Sequence, residues 1–398
     1  MTEPTPPGSL LQELADAVRL REGAEGVSRA LWAIYREDAH TTHEWSRELG
    51  IPVPVLAALR RELEKREILR PGRGLAFTET GLEQMQALFG RATPAAEAMD
   101  SPHQNEYALS PELFPLLEEF EYLSAQRPRA DVTLDQSHAT AETCIRRAAL
   151  LWRKGLLGKS LLFMGDDDLI SLACWLARDA WFEDPERLPP IYALDVDPRY
   201  LDFIGELSDR EIITQPYDVR EELPQNLHGV ADVALTDPAY TTNAVIAFAW
   251  RCYQATVSQG RLFLSIPPFD AQALGETQTR LTQMGWALRS IYPKFNQYLG
   301  ASIHAHVSDL NLLEKFMAKS PEKCFEMRYT PFYTGDTKTP GGHYQCTACA
   351  SLYLVGPGQT YATIQDLKAA GCDECGNDLF TRLPGGADSP QDNHGSPM

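Results

Sequence analysis

The chain has 398 residues, 43% of them hydrophobic, with a formal net charge of −19 and a pI near 4.9. This length can fill two or three domains, and the negative charge argues against a large nucleic-acid-binding or anionic-membrane surface. The N-terminus lacks the basic and apolar regions of a signal peptide, and no run of about 18 apolar residues occurs, so neither a leader nor a membrane span is expected. Four cysteines in apolar contexts are typical of reduced thiols and favour a cytoplasmic protein: Cys144, Cys174, Cys252 and Cys324.

Helical periodicity dominates the start of the chain. The predicted elements are helices over residues 10–20, 27–35, 42–49 and 52–68, a turn over 71–74 and a strand over 75–78. This order predicts a winged-helix-like domain over residues 1–91. The last of its helices carries the basic residues Arg60, Arg61, Lys65 and Arg66 together with Glu62, Glu64 and Glu67. Because these charges nearly cancel, domain packing or dimerisation is favoured over DNA binding.

Residues 92–131 are rich in Pro, Ser, Ala and Glu and are predicted to form a linker, with a helical insert over 113–123. The main domain is predicted over residues 132–335. Near its start, a polar run over 135–143 precedes an apolar helix. Such a run either folds over a cofactor, with Gln136 as a candidate, or only caps the helix, and both interpretations stay open.

Strands and helices then alternate regularly. Strands are predicted over 161–164, 191–197, 212–215, 232–237, 261–266, 286–291 and 302–310, and helices over 198–208, 242–258 and 271–284. This alternation predicts an α/β fold with a mainly parallel sheet and helices on both faces.

The first strand ends in an unusual turn, in which Gly165 is followed by Asp166, Asp167 and Asp168. Ligands of open α/β sheets bind beyond the carboxyl ends of the strands, where a helix N-terminus normally attracts an anion. Three aspartates reverse that preference, so the ligand should be cationic or should bring a metal. The alternatives are a solvated helix cap and a carboxylate cluster for Mg²⁺.

Acidic residues also follow the next strands. Asp195 and Asp197 close the second strand, at the distance from the first turn where an acidic residue commonly binds ribose hydroxyls. Asp218 follows the third strand, where an adenine amino group would lie. Asp237 and Tyr240 follow the fourth, next to the group to be transferred.

The negative charge of the three aspartates limits which co-substrate can bind there as the donor of the transferred group. No Gly-x-Gly-x-x-Gly motif is present, which disfavours a dinucleotide. The carboxylate of S-adenosylmethionine would meet the three aspartates, whereas decarboxylated S-adenosylmethionine has an ammonium there. The predicted residues for binding this co-substrate are Gln136, Gly165, Asp167, Asp195, Asp197 and Asp218.

These residues resemble the branched-chain polyamine synthase family over roughly residues 10–335. The resemblance is carried by Gly165-Asp166-Asp167-Asp168, Asp195-Val196-Asp197, Asp237-Pro238-Ala239-Tyr240-Thr241 and Ser308-Asp309-Leu310. Ala239 departs from the Pro more often found there. The resemblance implies a Rossmann-like, spermidine-synthase-type domain, decarboxylated S-adenosylmethionine as donor, spermidine as acceptor and a homodimer. Its products would be N4-aminopropylspermidine and N4-bis(aminopropyl)spermidine.

A mechanism follows from the acceptor's chemistry. A secondary amine has a pKa of ~10 and needs a base before it can attack carbon. Asp166 or Asp168 is favoured over Asp167 as that base, with Asp237 orienting the amine; the logic of spermidine synthases would place the base at Asp237 instead. Tyr240 would form a wall of the site, and Asp309 an acidic pocket beside the internal nitrogen.

The end of the chain has a different motif. Cys346, Cys349, Cys372 and Cys375 form a C-x₂-C-x₂₂-C-x₂-C pattern. This pattern predicts a zinc-ribbon-like module with structural Zn²⁺ over residues 336–383, and disulfides or a redox pair are the alternatives. Residues 384–398 are predicted to be a disordered tail.

Two other functions remain to be tested. A winged helix with a zinc ribbon is compatible with a transcription regulator, although the net charge argues against it. Asp-Pro-Ala-Tyr also approximates the motif of amino-methyltransferases, which would use S-adenosylmethionine itself.

Overall fold

The structure is a computed structural model that describes residues 7–36, 39–72, 74–90, 109–131, 134–267, 269–299, 307–318, 342–355, 359–361 and 364–383. Cys324, the predicted tail and much of the predicted linker lie outside these residues. Two compact units divide the chain, one formed by residues 1–132 with 136–329 and the other by residues 133–135 with 330–398. No helix in the described ranges is both long and apolar enough to cross a bilayer.

Six α-helices in the described residues precede residue 132, where the main domain is predicted to begin. They are α1 (Pro7–Val18), α2 (Gly23–Tyr35), α3 (Thr42–Leu49), α4 (Val53–Lys65), α5 (Glu79–Phe89) and α6 (Phe114–Ser124). Helix α3 begins where predicted because Thr41 and Glu44 form a reciprocal capping box. The predicted strand after α4 is reduced to one antiparallel bridge between Leu69 and Phe77.

These first helices share a hydrophobic core with the α/β part of the same unit. The Trp32 ring packs edge-on against Trp152 at 5.2 Å, and its indole N–H donates to the Arg153 carbonyl at 2.7 Å. Lys159 forms an ion pair with Glu25 at 2.6 Å. The N-terminal helices are therefore fixed to the sheet domain by buried contacts.

A seven-stranded sheet forms the centre of the larger unit, in the order β3-β2-β1-β4-β5-β7-β6. Its strands are β1 (Leu161–Met164), β2 (Ile191–Asp195), β3 (Ile212–Pro216), β4 (Ala231–Thr236), β5 (Thr256–Ile266), β6 (Trp286–Gln297) and β7 (Val307–Lys315). Helix α7 (Ala141–Arg153) precedes β1, and the helices between the strands are α8 (Ile170–Trp181), α9 (Pro198–Leu207), α10 (Thr242–Ala255) and α11 (Ala271–Met284). The α/β prediction is confirmed.

The five strands from β3 to β5 are parallel, whereas β7 runs antiparallel between β5 and β6. Met164 at the end of β1 pairs with Leu194 on one side and Thr236 on the other. The turns after β1, β2 and β4 therefore meet at one edge of the sheet, as the sequence predicts.

The last two strands differ from their predicted bounds. Strand β6 continues to Gln297 through a register shift between Tyr292 and Asn296. Such an irregularity changes the direction in which the neighbouring side chains point. Strand β7 begins at Val307, and residues 302–306 of its predicted range lie outside the described residues. The end of β6 also bonds to the segment before α7, since Thr140 N–H donates to the Gln297 carbonyl at 2.8 Å.

The smaller unit contains a three-stranded antiparallel sheet in the order β10-β8-β9. Its elements are β8 (Gly342–Cys346), β9 (Leu352–Val355), α12 (Ile364–Ala370) and β10 (Phe380–Arg382). Few of its described side chains are buried. They are the apolar side chains of Val355 and Leu367 and the cysteines Cys346 and Cys372. Such a small core needs another source of stability.

Candidate active site

The turn after β1 brings the first of the three aspartates against helix α8. Gly165 has a φ of +74°, a left-handed conformation that glycine adopts without strain. Asp166 is fully buried, and its carboxylate accepts from the backbone N–H groups of Ile170 at 2.7 Å and Ser171 at 3.1 Å. Burial raises the pKa of Asp166 to about 7. Both oxygens therefore cap α8, which is the structural alternative raised for this turn.

Arg147 joins the carboxylates from two strand ends. Its side chain lies on α7 and is 2% exposed. Nη1 donates to Asp168 Oδ2 at 3.1 Å, and Nη2 donates to Asp237 Oδ2 at 2.6 Å. The other oxygen of Asp168 accepts from the Ala139 N–H. Burial raises the pKa of Asp168 to about 6, against the opposing effect of Arg147.

Buried polar side chains fix the guanidinium from the other side. Arg147 Nε donates to Asn296 Oδ1 at 2.9 Å, and Nη2 also donates to Ser265 Oγ at 3.2 Å. The Asn296 amide donates in turn to Ser265 at 3.0 Å and to Ser308 at 2.9 Å. Such satisfied networks hold their members in one geometry.

Asp237 has a second donor on the same oxygen. The Tyr298 hydroxyl, just after β6, donates to Asp237 Oδ2 at 2.6 Å and lies 2.7 Å from Ser308 Oγ. The Tyr240 ring packs edge-on against Tyr298 at 6.2 Å. No donor in the described residues reaches Asp237 Oδ1, so this oxygen is available to a ligand.

Asp167 differs from its two neighbours. Its side chain is partly exposed, and no donor from the described part of the chain reaches its carboxylate. Burial and the neighbouring carboxylates of Asp168 and Asp195 hold the pKa of Asp167 well above its usual range. A cation binding here would relieve this unfavourable concentration of negative charge.

The acidic end of β2 is held by backbone amides. Asp195 accepts from the N–H groups of Asp166 and Asp197, each at 2.8 Å. Asp197 caps α9 and pairs with Arg199 at 2.5 Å, and it also accepts from the Gln136 amide at 3.2 Å. The structure therefore joins Gln136, Asp195 and Asp197 to the turn after β1. The second lone pair on each Asp195 oxygen remains for ligand hydroxyls.

Two predicted site residues do not join this cluster. Asp218 lies after β3 and pairs with Arg220 at 2.6 Å. Asp309 accepts from the Lys294 N–H at 2.8 Å. Because alternate residues of a strand point to opposite faces, Asp309 lies on the face opposite its neighbour Ser308, which contacts the cluster.

A cavity of about 680 Å³ lies beside the segment that precedes α7. It is lined by Glu121 and Glu142 but also by Arg127 and Arg129, together with His138. Burial and Arg127 lower the pKa of His138 to about 4, which keeps it neutral. Since the charges lining this cavity cancel, it suits a polycation less well than the carboxylate cluster does.

A sequence profile of the branched-chain polyamine synthase A C-terminal domain matches residues 115–333, more than half of the 398-residue chain. The matched stretch contains the whole seven-stranded sheet, α7 and the carboxylate cluster. The chain belongs to the branched-chain polyamine synthase family.

Proteins similar to this chain align with different fractions of its length. An uncharacterised protein of Methanocaldococcus jannaschii is 30% identical over 382 residues, 94% of this chain and 92% of its own. The N(4)-bis(aminopropyl)spermidine synthase of the same organism is 31% identical over 218 residues, 53% of this chain and 59% of its own length. A similar fold is found in the crystal structure of the Thermus thermophilus branched-chain polyamine synthase in complex with N4-aminopropylspermidine and 5'-methylthioadenosine. The two structures superpose with a TM-score of 0.48 and are 23% identical in sequence. The match covers 77% of this chain and 93% of that one.

Sequence reasoning missed three residues that organise the cluster, Arg147, Asn296 and Tyr298, and it noted Ser308 only as part of a family motif. One signal was available for the first of them. Arg146 and Arg147 interrupt an otherwise apolar stretch of α7, and a buried guanidinium requires anionic or polar partners. Nothing in the sequence identifies those partners, because they lie 90 and 149 residues away.

The four C-terminal cysteines lie outside the stretch that matches the family domain. Their Sγ atoms all lie within 4.8 Å of one another, with Cys346 and Cys375 at 3.6 Å and Cys349 and Cys372 at 3.4 Å. In the described part of the chain they are the one group of three or more metal-ligating side chains in this arrangement.

Each cysteine pair lies in the same kind of turn. Ala350 N–H donates to the Cys346 carbonyl at 3.0 Å, and Gly376 N–H donates to the Cys372 carbonyl at 2.7 Å. Ala350 and Gly376 occupy equivalent positions and both have left-handed backbones, with φ of +61° and +72°. The two turns are thus local copies of one another that present four sulfurs to a common point.

Proposed function

We propose that this protein is an aminopropyltransferase. It moves aminopropyl groups from decarboxylated S-adenosylmethionine to the internal N4 amine of spermidine, giving N4-aminopropylspermidine, N4-bis(aminopropyl)spermidine and methylthioadenosine. The observation that carries the proposal is the carboxylate cluster after β1 and β4, in a chain of the branched-chain polyamine synthase family. The relative named N(4)-bis(aminopropyl)spermidine synthase supports the same activity.

The charge of the cluster supports the choice of donor. Decarboxylated S-adenosylmethionine has a sulfonium and an ammonium and no carboxylate. Asp167 is partly exposed, lacks a described donor and lies among other carboxylates. An ammonium beside this group of carboxylates gains a charge-assisted hydrogen bond, whereas the carboxylate of S-adenosylmethionine would be repelled.

The nucleoside part of the donor has its own proposed contacts. Asp195 binds the ribose hydroxyls from the end of β2, and Gln136 and Asp197 stand beside it. Gly165 permits close approach of the donor to the turn. Asp218 lies after β3, where it would bind the adenine amino group once its side chain turns from Arg220.

The acceptor amine must lose a proton during transfer. Its lone pair forms the new N–C bond at the carbon next to the sulfonium, and the C–S bonding pair leaves with sulfur as a neutral thioether. We assign proton acceptance to Asp167 and orientation of the amine to Asp237 Oδ1. Asp166 and Asp168, which were favoured as the base from sequence, have both oxygens engaged by protein donors. Tyr240 forms a wall for the alkyl chain.

The test of this function is product identification. Purified protein is incubated with spermidine and decarboxylated S-adenosylmethionine, and the products are fragmented in a mass spectrometer. We expect one and then two aminopropyl groups on the internal nitrogen, with methylthioadenosine in equal amount. Spermine, with the new group on a terminal nitrogen, or no product at all, would refute the assignment.

We also propose that the four cysteines bind structural Zn²⁺ in a zinc-ribbon-like module. Zn–S bonds of about 2.3 Å in a tetrahedron place neighbouring sulfurs about 3.8 Å apart, close to the 3.6 and 3.4 Å between the paired sulfurs. Tyr353 donates to Cys372 Sγ at 3.1 Å and Asn377 to Cys346 Sγ at 3.3 Å, as partners of thiolate ligands do. Four protein ligands leave no open position, so this metal would stabilise the fold without taking part in transfer.

For the N-terminal region we propose a winged-helix-like domain that packs against the sheet and does not read DNA. Arg60 is engaged by Glu64 at 2.8 Å and by the carbonyl of Gly74 at 3.1 Å in the turn after α4. Arg66 pairs with Glu13 at 2.9 Å. Residues 92–131 would connect this domain to the catalytic one, in a cytoplasmic homodimer of the kind that the family resemblance implies. Weak, sequence-independent retention on DNA is the expected result.

A further inference from the structure

The donors to each carboxylate separate the buried aspartates into two groups. Both oxygens are engaged by protein donors in Asp166, Asp168 and Asp195. In the described structure, the oxygens without a protein donor are both of those of Asp167 and Oδ1 of Asp237. Backbone N–H groups engage most of the first group, and Arg147 takes the remaining oxygen of Asp168 together with one oxygen of Asp237.

We propose that Arg147 is a positioning residue for aminopropyl transfer. By holding Asp237 through Oδ2, it presents Oδ1 to the acceptor amine, and by pairing with Asp168 it leaves Asp167 as the carboxylate that accepts the proton. This inference rests on the proposed function and deepens it.

The planar shape of the Arg147 guanidinium suits it to holding Asp168 and Asp237 at the same time. It meets acceptors that come from three parts of the sheet: Asp168 after β1, Asp237 after β4 and Asn296 on β6. A planar fork can satisfy all three at once, whereas a lysine ammonium is a single point of charge on a flexible stem. Arg147 therefore holds the carboxylates that follow two neighbouring strands in a fixed arrangement, and it also balances part of their negative charge.

Its charge also sets the ionisation of the cluster. The titratable groups that face Arg147 are Asp168, Asp237, Tyr298 and Cys144, which lies on α7 itself. In Arg147→Lys one ammonium can pair with only one of the two carboxylates that Arg147 bridges, and the negative charge of the other would favour protonation of the neighbouring base. The base would then hold its proton to higher pH, so the acidic limb of the rate profile should move to higher pH.

The test compares three variants in the product assay described above. Arg147→Lys keeps a positive charge but loses the fork, and Asn296→Ala loosens the guanidinium without touching a carboxylate. The matched control is Arg146→Lys, since Arg146 is the next residue on α7, is equally buried, and donates to Thr143 and to a helix carbonyl. Methylthioadenosine binding by calorimetry reports whether each variant retains the donor site.

We expect Arg147→Lys to lower kcat by about 10²-fold, the cost of an ångström-scale misplacement, and to shift the acidic limb of the kcat profile upward. Asn296→Ala should lower kcat less and shift the limb in the same direction, while Arg146→Lys should leave the limb in place. If Arg147→Lys does not bind methylthioadenosine, Asn296→Ala carries the test alone.

The proposed function and the role of Arg147 can fail separately. A wild-type protein that forms no branched product refutes the proposed function. A wild-type protein that is active, together with Arg147→Lys and Asn296→Ala variants whose kcat and pH profile match those of the Arg146→Lys control, refutes the role of Arg147 and leaves the function intact. A fall in melting temperature without a change in the pH profile would show that Arg147 is only structural.

Discussion

Three consecutive aspartates after β1 have three different environments. Asp166 turns inward and caps α8, Asp168 pairs with Arg147, and Asp167 remains partly exposed without a described donor. A single turn can make this division because its backbone changes direction at each residue, with left-handed conformations at Gly165 and Leu169. At the residue scale, a motif of identical side chains therefore contains one partly exposed group and two that hold the turn.

Replacing Asp167 tests this division directly. Asp167→Asn keeps the size of the side chain but removes the proton acceptor, so we expect kcat to fall by about 10²- to 10⁴-fold, the usual contribution of a general base. The measurement is single-turnover formation of aminopropylspermidine. Asp179→Asn, on the exposed side of α8, is the matched control and should retain wild-type turnover. Equal rates for the two variants would contradict the assignment.

The same substitution should stabilise the unliganded protein. A carboxyl whose folded-state pKa is raised contributes stability below its unfolded pKa of ~3.9, and that contribution is lost as pH rises through the folded value. Asp167 belongs to this class. The melting temperature of Asp167→Asn should therefore equal that of wild type near pH 4 and exceed it at pH 8. A less stable variant at pH 8 would show that Asp167 is paired in the folded protein.

Sequence patterns predicted which strand ends carry acidic groups, but not how those groups are paired. Asp195 and Asp197 meet the turn after β1 as expected, since parallel strands end at one edge, whereas Gln136 reaches Asp197 from the segment before α7, for which the sequence leaves both interpretations open. Asp309 does not, because one residue of register decides which face of β7 it occupies. Arg147 was missed because its partners come from strands that are distant in the chain, and chain distance gives no indication of such contacts.

At the scale of elements, hydrophobic runs were enough to predict the sheet and most of its helices. The ends were less well predicted where two elements adjoin: α10 ends at Ala255 and β5 begins at Thr256, with no loop between them. The register shift in β6 was not predictable from alternation, yet it places Asn296 and Tyr298 in contact with the cluster. The irregular element is thus the one that completes the site.

The paired cysteine turns offer a matched test at this scale. Gly376 has a φ of +72°, and apart from its chain neighbours no atom of the described residues lies within 4 Å of the point that an added methyl group would occupy, so Gly376→Ala adds backbone strain of about 1–2 kcal/mol and little else. Ala350→Gly should relieve similar strain in the other turn. We expect the zinc dissociation constant of the full chain, measured by competition with a chelator, to rise about tenfold in the first variant and to fall in the second. Equal affinities would contradict the symmetry of the two turns.

At the scale of the whole molecule, the carboxylate cluster and the four clustered cysteines belong to different compact units. Every residue of the carboxylate cluster lies in the larger unit, and the four cysteines lie in the smaller one. The predicted consequence is that zinc stabilises its own unit and leaves transfer chemistry to the other.

Removal of zinc tests this separation. A chelator, or Cys346→Ser, should release about one zinc per chain and abolish amide protection over residues 342–383, measured by hydrogen exchange, because metal binding and folding of such modules are coupled. Aminopropyl transfer should continue at the wild-type rate. Cys252→Ala, at a buried cysteine of the larger unit, should keep its zinc. Loss of transfer together with the metal would contradict the separation.

The central claim is that this protein selects its donor by charge, and a competition between donors tests it most directly. Equal concentrations of S-adenosylmethionine and decarboxylated S-adenosylmethionine are offered with spermidine, and the products are separated by mass. The carboxylate cluster predicts aminopropylated products alone, with S-adenosylmethionine recovered unchanged. Methylated polyamine, or transfer of a methyl group to any other amine, would contradict the account.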